Sequence, residues 1–424
     1  MLGLINRTRD INPLNVIGVL TIPGLLFCSG SAASICYSGY SLPISATLAS
    51  VWFIVFLAHN PKMSLRKPAA LTFCILILGS VLSLFFSDFS GWTSFALFIC
   101  VLTVAYLLVR ILGVRSVTRG YIGTLVFLSG ISLIGFLIFE VFGIYPPFPQ
   151  MSTHTGSTIY SNAIVFVVDL GLNSGRNIGI FWEPSIYAAY LNIAIAITLF
   201  LDQSNKRTSR ILLFVLVLLT TESAGGFIEL SCIFVAYWYH RGNKPIVIVC
   251  LLALFAMFLL TYTQLQSLLL GFNYEFFYKF FGGSGSGTTQ TRLECPVLNM
   301  AIWFKSPLFG SGFYGTDIMY NQLRLASTIS NLAQTSTITY LPAAIGILGF
   351  SLLIACVYGF NKLVNLPLFS KIALFVAAMV FLNEEPCTYF IAVYLLLFLL
   401  LELSNKESVI RFSVQREVLN DANK

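Results

Sequence analysis

Charged residues are scarce in this chain. Asp, Glu, Lys and Arg make up 10% of the 424 residues, against about 25% in soluble globular domains, whereas hydrophobic residues make up 57%. A folded soluble protein of this composition would lack the polar surface that keeps it in solution. The composition therefore excludes a soluble protein and predicts an integral membrane protein.

Histidine is also rare, with only three residues scattered along the sequence. Their spacing matches no protein-ligated metal site, and no Ser, His and Asp set falls on one predicted side of the membrane. Six of the nine cysteines lie in apolar stretches, where a thiol packs as a small hydrophobic group. The sequence thus predicts no protein-bound metal, no triad hydrolase and no disulfide framework.

Long apolar runs are the main feature that is present. Runs that cross roughly 30 Å of hydrocarbon are predicted to be helices, the structure that bonds every backbone group within its own segment. Twelve spans are predicted, with approximate cores at 14–34, 41–58, 69–86, 93–112, 121–144, 184–201, 211–221, 226–240, 245–264, 338–360, 372–384 and 387–403. We expect an all-α polytopic membrane helix bundle, with residues 1–424 forming a single integral membrane domain.

The basic residues are divided unevenly between the two sides of this bundle. Nineteen of the 24 Lys and Arg lie in the termini and short connections, which twelve spans place on one side. The other five lie in two long loops, 145–183 and 265–337, on the opposite side. Because positive short connections mark the cytoplasm, both termini are predicted to be cytoplasmic and both long loops external. Basic charge spread so thinly predicts no nucleic-acid partner.

This sidedness depends on a break within residues 211–240. A single helix there would put the two long loops on opposite sides of the membrane. The sequence Thr220-Thr221-Glu222-Ser223-Ala224-Gly225-Gly226 instead favours a turn between two short spans.

Three external turns place carboxylates beside a residue that starts or interrupts a helix. They are Trp182-Glu183-Pro184, the turn that holds Glu222, and Asn383-Glu384-Glu385-Pro386. Proline suits the first turn of a helix, where its missing N–H costs nothing. Each following helix would point the positive end of its dipole toward the long loops.

Five cations are predicted on the external side, opposite to the other nineteen: Arg176, Lys279, Arg292, Lys305 and Arg324. Long loops tolerate charge, which is the favoured interpretation for the two lysines. Arg176 and Arg292 lie beside segments predicted at the membrane face, and a guanidinium suits bidentate contact with phosphate oxygens. They are candidate phosphate-binding residues.

Glu183 lies seven residues after Arg176 and directly follows Phe181 and Trp182. Desolvation at such an apolar edge raises the proton affinity of a carboxylate, which suits a general base. The alternative is an acid that only complements the dipole of the following helix. The sequence leaves both interpretations open.

Four stretches resemble the O-antigen polymerase and ligase superfamily of bacterial inner-membrane proteins. They are Arg176-Asn177-Ile178-Gly179-Ile180-Phe181-Trp182-Glu183-Pro184, Thr221-Glu222-Ser223-Ala224-Gly225-Gly226, Arg292 with the run that ends in Pro307-Leu308-Phe309-Gly310-Ser311-Gly312, and Ser330-Asn331 ahead of Ala343-Ala344-Ile345-Gly346-Ile347-Leu348-Gly349. With the twelve spans and two long external loops, the resemblance covers most of the chain.

Two departures from the family pattern are informative. Ligases of this superfamily resemble one another in a catalytic His-Asn pair within the second long loop. Here that loop has no histidine and shows Ser330-Asn331 instead, which favours polymerase over ligase. The SRG-like turn of the family is also altered, with Glu222 and Ala224, so its role does not carry over.

The resemblance implies a glycosyltransferase that moves a growing polysaccharide from undecaprenyl pyrophosphate to a lipid-linked repeat unit on the periplasmic face. Arg176 and Arg292, with Arg324 as a third, would contact the pyrophosphate. Glu183 is the first candidate for the base and Glu222 the second. No cofactor or metal is expected, since the donor arrives already activated.

The implied partners are the lipid-linked donor and acceptor and the lipid bilayer. A chain-length regulator protein in the same membrane is a further candidate. The rival within the superfamily is a ligase that uses lipid A core as acceptor. A rival from another class is a transporter or flippase of the same lipid-linked oligosaccharide, although the sequence has no convincing internal repeat of the kind transporters show.

Overall fold

A computed structural model describes the fold. The residues described are 21–26, 28–59, 67–87, 91–144, 148–153, 159–162, 165–171, 175–202, 204–249, 284–326, 334–363, 366–384 and 386–404. The structure is 80% helical with almost no sheet, which confirms the all-α class.

The α-helices follow one another with short connections. In chain order they are α1 (Ala32–Cys36), α2 (Ser41–His59), α3 (Lys67–Phe86), α4 (Trp92–Phe136), α5 (Pro184–Leu201), α6 (Arg207–Thr221), α7 (Ala224–His240), α8 (Ser284–Lys305), α9 (Phe313–Ala326), α10 (Thr337–Ile345), α11 (Ser351–Lys362), α12 (Leu368–Glu384) and α13 (Ile391–Leu403). Single turns of tighter or wider helix occupy Ser38–Tyr40, Leu137–Val141, Gly346–Phe350 and Cys387–Tyr389, and residues 21–26 and 244–249 are also helical.

Within the described residues, five helical stretches are long and apolar enough to cross a membrane. They are Ser38–Ala58, Pro68–Phe86, Trp92–Val141, Pro184–Leu201 and Thr337–Lys362, and the shorter α13 is apolar as well. These stretches agree with a membrane protein. The count of twelve spans stays a prediction.

The break predicted between the spans 93–112 and 121–144 falls at a kink. Residues Trp92–Phe136 comprise two helices that meet at Gly113, the only residue of α4 with non-helical dihedral angles, at φ 72° and ψ 166°. Arg115 and Arg119 lie on the second helix, since arginine is a good helix former, so the connection is shorter than the gap between the two predicted spans.

The turn predicted within 220–226 is confirmed. The helix α6 ends at Thr221, and α7 begins at Ala224. Helix α5 begins at Pro184, the residue that the sequence places in the first turn.

Basic residues from separate parts of the chain lie at one end of the bundle. Arg110 pairs with Glu402 at the end of α13, with Nη1 and Oε1 3.3 Å apart. Arg207 and Arg241 both lie over the ring of Tyr237, 5.3 and 5.5 Å from its centroid. Helix α6 has 15 residues and rises about 1.5 Å per residue. Its basic end therefore lies about 22 Å from the turn that follows Thr221.

Helices α7 and α12 pack antiparallel along this same direction. Near the basic end, the Ser370 hydroxyl donates to the carbonyl oxygen of Ala236 at 2.7 Å. At the other end, the Glu384 carboxylate lies against Gly225. Both helices therefore reach from the basic end to the turn between α6 and α7.

A small sheet, which the sequence analysis did not predict, lies in the first long loop. Strands β1 (Gln150–Ser152), β2 (Ile159–Asn162) and β3 (Val167–Asp169) pair antiparallel in that order. The Tyr160 hydroxyl donates to the Trp182 carbonyl at 3.2 Å, and the Val167 N–H donates to the Gly179 carbonyl at 2.7 Å. The sheet therefore supports the segment that leads into α5.

Two of the quoted motifs, 307–312 and 343–349, lie against each other. The N–H of Ser311 donates to the Ala343 carbonyl at 2.9 Å, and Gly310 has a positive φ of 74°. A Cβ at Gly310 would clash with the backbone of Ala344, so glycine permits both the turn and the close approach. This contact fixes the end of α8 on α10.

Candidate functional site

Arg176 is anchored to the turn between α6 and α7. Its Nε donates to the Thr221 carbonyl oxygen at 3.0 Å, and its Nη2 donates to the Glu222 carbonyl oxygen at 2.8 Å. The last carbonyls of a helix lack partners inside the helix and carry partial negative charge. The guanidinium satisfies two carbonyls at this end, so Arg176 is a fixed part of the fold and not a solvated loop charge.

The neighbouring Asn177 completes this attachment. Its Nδ2 donates to Thr220 Oγ1 at 2.9 Å, and its backbone N–H donates to the Thr220 carbonyl at 2.9 Å. Its Oδ1 accepts from the N–H of Gly179 at 3.0 Å. Because Asn177 is fully buried, residues 176–179 and the end of α6 form one hydrogen-bonded unit.

Glu222 has a left-handed backbone, with φ 49° and ψ 36°. It is the only non-glycine residue with positive φ in the part of the chain that the structure describes. This conformation costs an L-residue roughly 1–2 kcal/mol, and such strain is concentrated at functional sites. It turns the chain from α6 into α7, where Ser223 Oγ caps the new helix by accepting from the Gly226 N–H at 3.2 Å.

Charges from four parts of the chain converge on Arg176. Burial lowers the pKa of its guanidinium, the carboxylates of Glu183, Glu222 and Asp169 raise it, and the positive charge of Arg292 lowers it. Four of the five site residues predicted from the sequence therefore share one electrostatic environment. The site holds two guanidinium groups among carboxylates, at the end of α6 opposite its basic end.

Glu183 is the N-cap residue of α5, with an extended backbone at φ −136° and ψ 142°. Its side chain makes no capping hydrogen bond to the helix. Its carboxylate is instead the first of the charges that act on Arg176. Phe181, two residues earlier, is fully buried, so Glu183 lies at an apolar edge as the sequence predicts.

Arg292 lies on α8 beside the end of α12. The Asn383 side chain donates from Nδ2 to the carbonyl oxygen of Arg292 at 3.1 Å. The charge of Arg292 acts on Arg176 and also on two buried carboxylates, Glu229 and Glu384. The second long loop thus brings its arginine to the site formed by the first.

Arg324 does not join this group. Among the described residues, the charges that act on Arg176 do not include Arg324, which lies on α9 and acts on Tyr320 of the same helix. Of the three arginines predicted to bind pyrophosphate, Arg176 and Arg292 therefore share one electrostatic environment.

Asp169, Asn383 and Glu384 were not predicted from the sequence as neighbours of the site. Asp169 lies in β3, a strand that the sequence pattern does not indicate. The turn with Asn383 and Glu384 was noted for its carboxylates, but no pattern in the sequence connects it with Arg292. For Asn383 and Glu384, the signal available in the sequence was the position of a carboxylate beside a helix break.

A second polar cluster joins the helices of the second long loop to α10. The Tyr340 hydroxyl donates to Asp317 Oδ1 at 3.0 Å; burial raises the pKa of Asp317 to about 6, and this hydrogen bond opposes the shift. Asn299 and Gln334 exchange two amide hydrogen bonds, at 3.0 and 2.8 Å.

Ser330-Asn331, quoted for the family resemblance, lies outside the described residues.

A cavity of about 540 Å³ lies inside the bundle, between α5, α7, α11, α12 and α13. Its lining is almost entirely apolar, and its polar members are Asn192, Glu229 and His240. Asn192 Nδ2 donates to the Gly226 carbonyl at 2.7 Å and to Glu229 Oε2 at 3.0 Å. The cavity wall is thus bonded to the first turn of α7, next to the site.

No protein-family model, no curated protein and no solved structure matches this chain.

Proposed function

We propose that this chain is a glycosyltransferase that polymerises undecaprenyl-pyrophosphate-linked oligosaccharide repeat units into O-antigen or a related surface polysaccharide. The observation that carries the proposal is that the charges of Arg292, Glu183 and Glu222 all act on Arg176, whose guanidinium is fixed on the turn between α6 and α7. Two guanidinium groups fit a diphosphate, and a nearby carboxylate fits the proton transfer that glycosyl transfer requires.

In the proposed reaction, the acceptor hydroxyl oxygen forms a bond to the anomeric carbon of the donor. The bond from that carbon to the pyrophosphate oxygen breaks, and its electron pair leaves with the lipid pyrophosphate. Arg176 and Arg292 stabilise the negative charge that develops there, most strongly in a site that is shielded from water. The hydroxyl proton goes to Glu183, or to Glu222 in the second assignment. The reaction is proposed to be metal-independent.

The apolar cavity supports a lipid-linked substrate. A hydrocarbon chain has a place to pack between α5, α7 and α13, while the diphosphate lies at the arginines outside the apolar region. None of the described residues that line the cavity is an arginine or a lysine that could bind a phosphate group. The cavity therefore suits the chain of the lipid and not its headgroup.

The proposed orientation puts the arginine site on the periplasmic face of the bacterial inner membrane and both termini in the cytoplasm. It is supported by the basic end of the bundle, where Arg110, Arg207 and Arg241 lie, since positive residues favour the cytoplasm. Twelve spans, with periplasmic loops at 145–183 and 265–337, belong to the same proposal.

Cysteine labelling tests this orientation. Ser152→Cys and Gln322→Cys, at exposed positions of the two long loops, should react with an impermeant maleimide in intact spheroplasts. Asn205→Cys, exposed at the basic end, should react only after the membrane is opened. The background is a variant without the nine native cysteines. Labelling of Ser152→Cys and Gln322→Cys from different sides would rule out the twelve-span arrangement.

A transporter or flippase is the second candidate, and one observation favours it. Glu229 and Glu384 are buried carboxylates at 2% and 4% exposure, and ionisable groups inside a membrane bundle often belong to transport pathways. The charge of Arg292 acts on both carboxylates, which connects them with the arginine site and supports the glycosyltransferase.

Deletion of the gene distinguishes a polymerase from a ligase or flippase by the lipopolysaccharide that the strain still makes. A polymerase deletion should leave lipid A core with a single repeat unit, because ligation continues while polymerisation stops. A ligase or flippase deletion should leave bare core. Gel banding from the deletion strain reads the difference, and bare core would overturn the proposal.

A further inference from the structure

The exposed side of helix α8 carries an apolar stripe. Val297, Phe304 and Leu308 are 67%, 70% and 62% exposed, and Ala301 is exposed as well. Val297, Ala301 and Phe304 follow at intervals of four and three residues, a spacing that puts side chains on one side of a helix. Leu308 comes in the turn after α8. We call these four residues the α8 stripe.

The buried side of α8 is no more apolar than this exposed side. Beside Cys295 and Ile302 it holds Asn299, which is fully buried. The Asn299 Nδ2 donates to Gln334 Oε1 and to Thr339 Oγ1, each at 3.0 Å. A helix that lies between protein and water buries its apolar residues and exposes its polar ones. An exposed apolar stripe opposite a buried asparagine is typical instead of a helix that contacts lipid.

The α8 stripe lies next to the exposed face of α3. Leu78 and Phe85, seven residues apart, are both exposed on one face of this helix, which is long and apolar enough to cross a membrane. The ring of Phe86, the last residue of α3, stacks on that of Phe309, with the centroids 3.8 Å apart. The turn after α8 therefore adjoins the end of a membrane-length helix.

Two close contacts hold this turn in place. A Cβ at Gly312 would stand 2.7 Å from the Oγ of Ser87, the residue after α3, and a Cβ at Gly91 would clash with that of Tyr314. Trp92, the first residue of α4, is exposed beside Gly91, and tryptophan is enriched where a membrane meets water. The turn between α8 and α9 is therefore fixed at the level of a membrane boundary.

The exposed side of α9 changes from apolar to polar along the helix. Tyr314 and Ile318 are exposed in its first half, and Asn321 and Gln322 are exposed near its end. The helix rises about 12 Å between Tyr314 and Gln322. Lys305 is exposed beside the α8 stripe, and a lysine at a membrane surface extends its ammonium group into the headgroups. Helix α9 thus has the pattern of a helix that leaves the membrane surface and enters water.

We infer that the α8 stripe lies in the membrane leaflet that the end of α3 reaches, so that α8 is an interfacial helix and not a water-exposed part of the second long loop. The apolar face of an interfacial helix is buried about 5–10 Å into the boundary between headgroups and acyl chains. Arg292 lies on the same helix, so the candidate site is held at the membrane surface. The membrane contact itself does not depend on the proposed reaction.

Spin labels in vesicles of phosphatidylethanolamine and phosphatidylglycerol test the contact. Nitroxides at Val297→Cys, Phe304→Cys and Leu308→Cys should collide often with oxygen, which dissolves in the bilayer, and rarely with a water-soluble nickel chelate. All three positions are exposed, so the label displaces no packed side chain.

The chain offers matched controls for both surroundings. Leu78→Cys, on the exposed face of α3, gives the response of a label in lipid, and Gln322→Cys gives that of a label in water. The background keeps the buried Cys295, Cys356 and Cys387 and replaces the other six native cysteines.

Access of the nickel chelate to the α8 stripe equal to that at Gln322→Cys would show that the stripe lies in water and would refute the inference. Low access of both reagents would refute it as well, because protein and not lipid would then cover the stripe. Dipolar broadening between labels on different molecules would in that case identify a second copy of this chain as the cover.

A lipid-soluble diazirine gives a second measurement on the wild-type protein, where no substitution can disturb the fold. Photolysis in the same vesicles should label the peptide that holds residues 297–308, and absence of label there would count against the inference. Neither measurement needs activity. Labelling of the stripe in a protein that makes no polymer would support the membrane contact while the proposed function fails.

Discussion

Arg292→Ala should leave the protein folded and inserted and reduce polymer formation about 10²- to 10³-fold, the usual cost of losing one donor that stabilises developing charge. The charge of Arg292 acts on Arg176, while its backbone carbonyl separately accepts a hydrogen bond from Asn383. Truncation of the side chain therefore removes the charge without removing the helix contact. The measurement is polymer length and rate with purified protein and lipid-linked repeat units.

Arg176→Ala should reduce polymer formation by a similar factor, with an added loss of stability. Its guanidinium satisfies the carbonyls of Thr221 and Glu222, and the buried carbonyls would lose those partners. Lysine at either position should restore only part of the activity, because it keeps the charge without the planar fork.

Lys305→Ala is the control for both arginines, since Lys305 is an exposed cation on the same helix as Arg292. It should behave as wild type. Full-length polymer from either arginine-to-alanine variant, at normal expression, would show that the arginines do not take part in the reaction.

The fold was predictable where local chemistry decides it. Pro184 suits a first helical turn, and α5 starts there; Gly225 and Gly226 indicated a break, and α6 ends before them. The break predicted between 112 and 121 is present as a kink at Gly113, but Arg115 and Arg119 lie on the second helix and not in a loop, because arginine is a good helix former. The strands of the first long loop are only three or four residues long, too short for a clear alternation.

The sequence predicted which residues belong to the candidate site better than it predicted how they are arranged. Arg176 and Arg292 stood out because they violate the charge asymmetry of the other cations. Their meeting depends on how α8 packs against α12, and no local pattern encodes a contact between segments so far apart in sequence. The position of Glu222 in a left-handed turn was also hidden, since glycine is the residue that usually marks such a conformation.

Glu183→Gln should abolish most turnover, by a factor on the order of 10² to 10⁴, if Glu183 is the base that accepts the proton of the acceptor hydroxyl. Glutamine keeps the shape and hydrogen-bonding reach of the side chain but cannot accept that proton. Binding of the lipid-linked substrate should therefore stay close to that of wild type. Polymer formation and substrate binding are measured on the same purified protein.

The alternative for Glu183 is an acid that only favours the N-terminus of α5. Glutamine would then cost ~0.3–1 kcal/mol of stability and leave turnover almost intact. The structure weighs against that alternative, because the side chain makes no capping hydrogen bond and its charge acts on Arg176 instead. In the proposed reaction Arg176 contacts the leaving diphosphate, and a carboxylate that acts on Arg176 would be close to the bond that breaks.

Glu222→Gln run in parallel distinguishes the two carboxylates. Glu222 contributes to the site through its backbone carbonyl, which accepts from Arg176, and a change of its side chain leaves that bond in place. If Glu183 is the base, Glu222→Gln should lose much less activity than Glu183→Gln. Near-normal turnover in Glu183→Gln together with loss in Glu222→Gln would transfer the base to Glu222, whose strained backbone would then position the carboxylate that takes the proton.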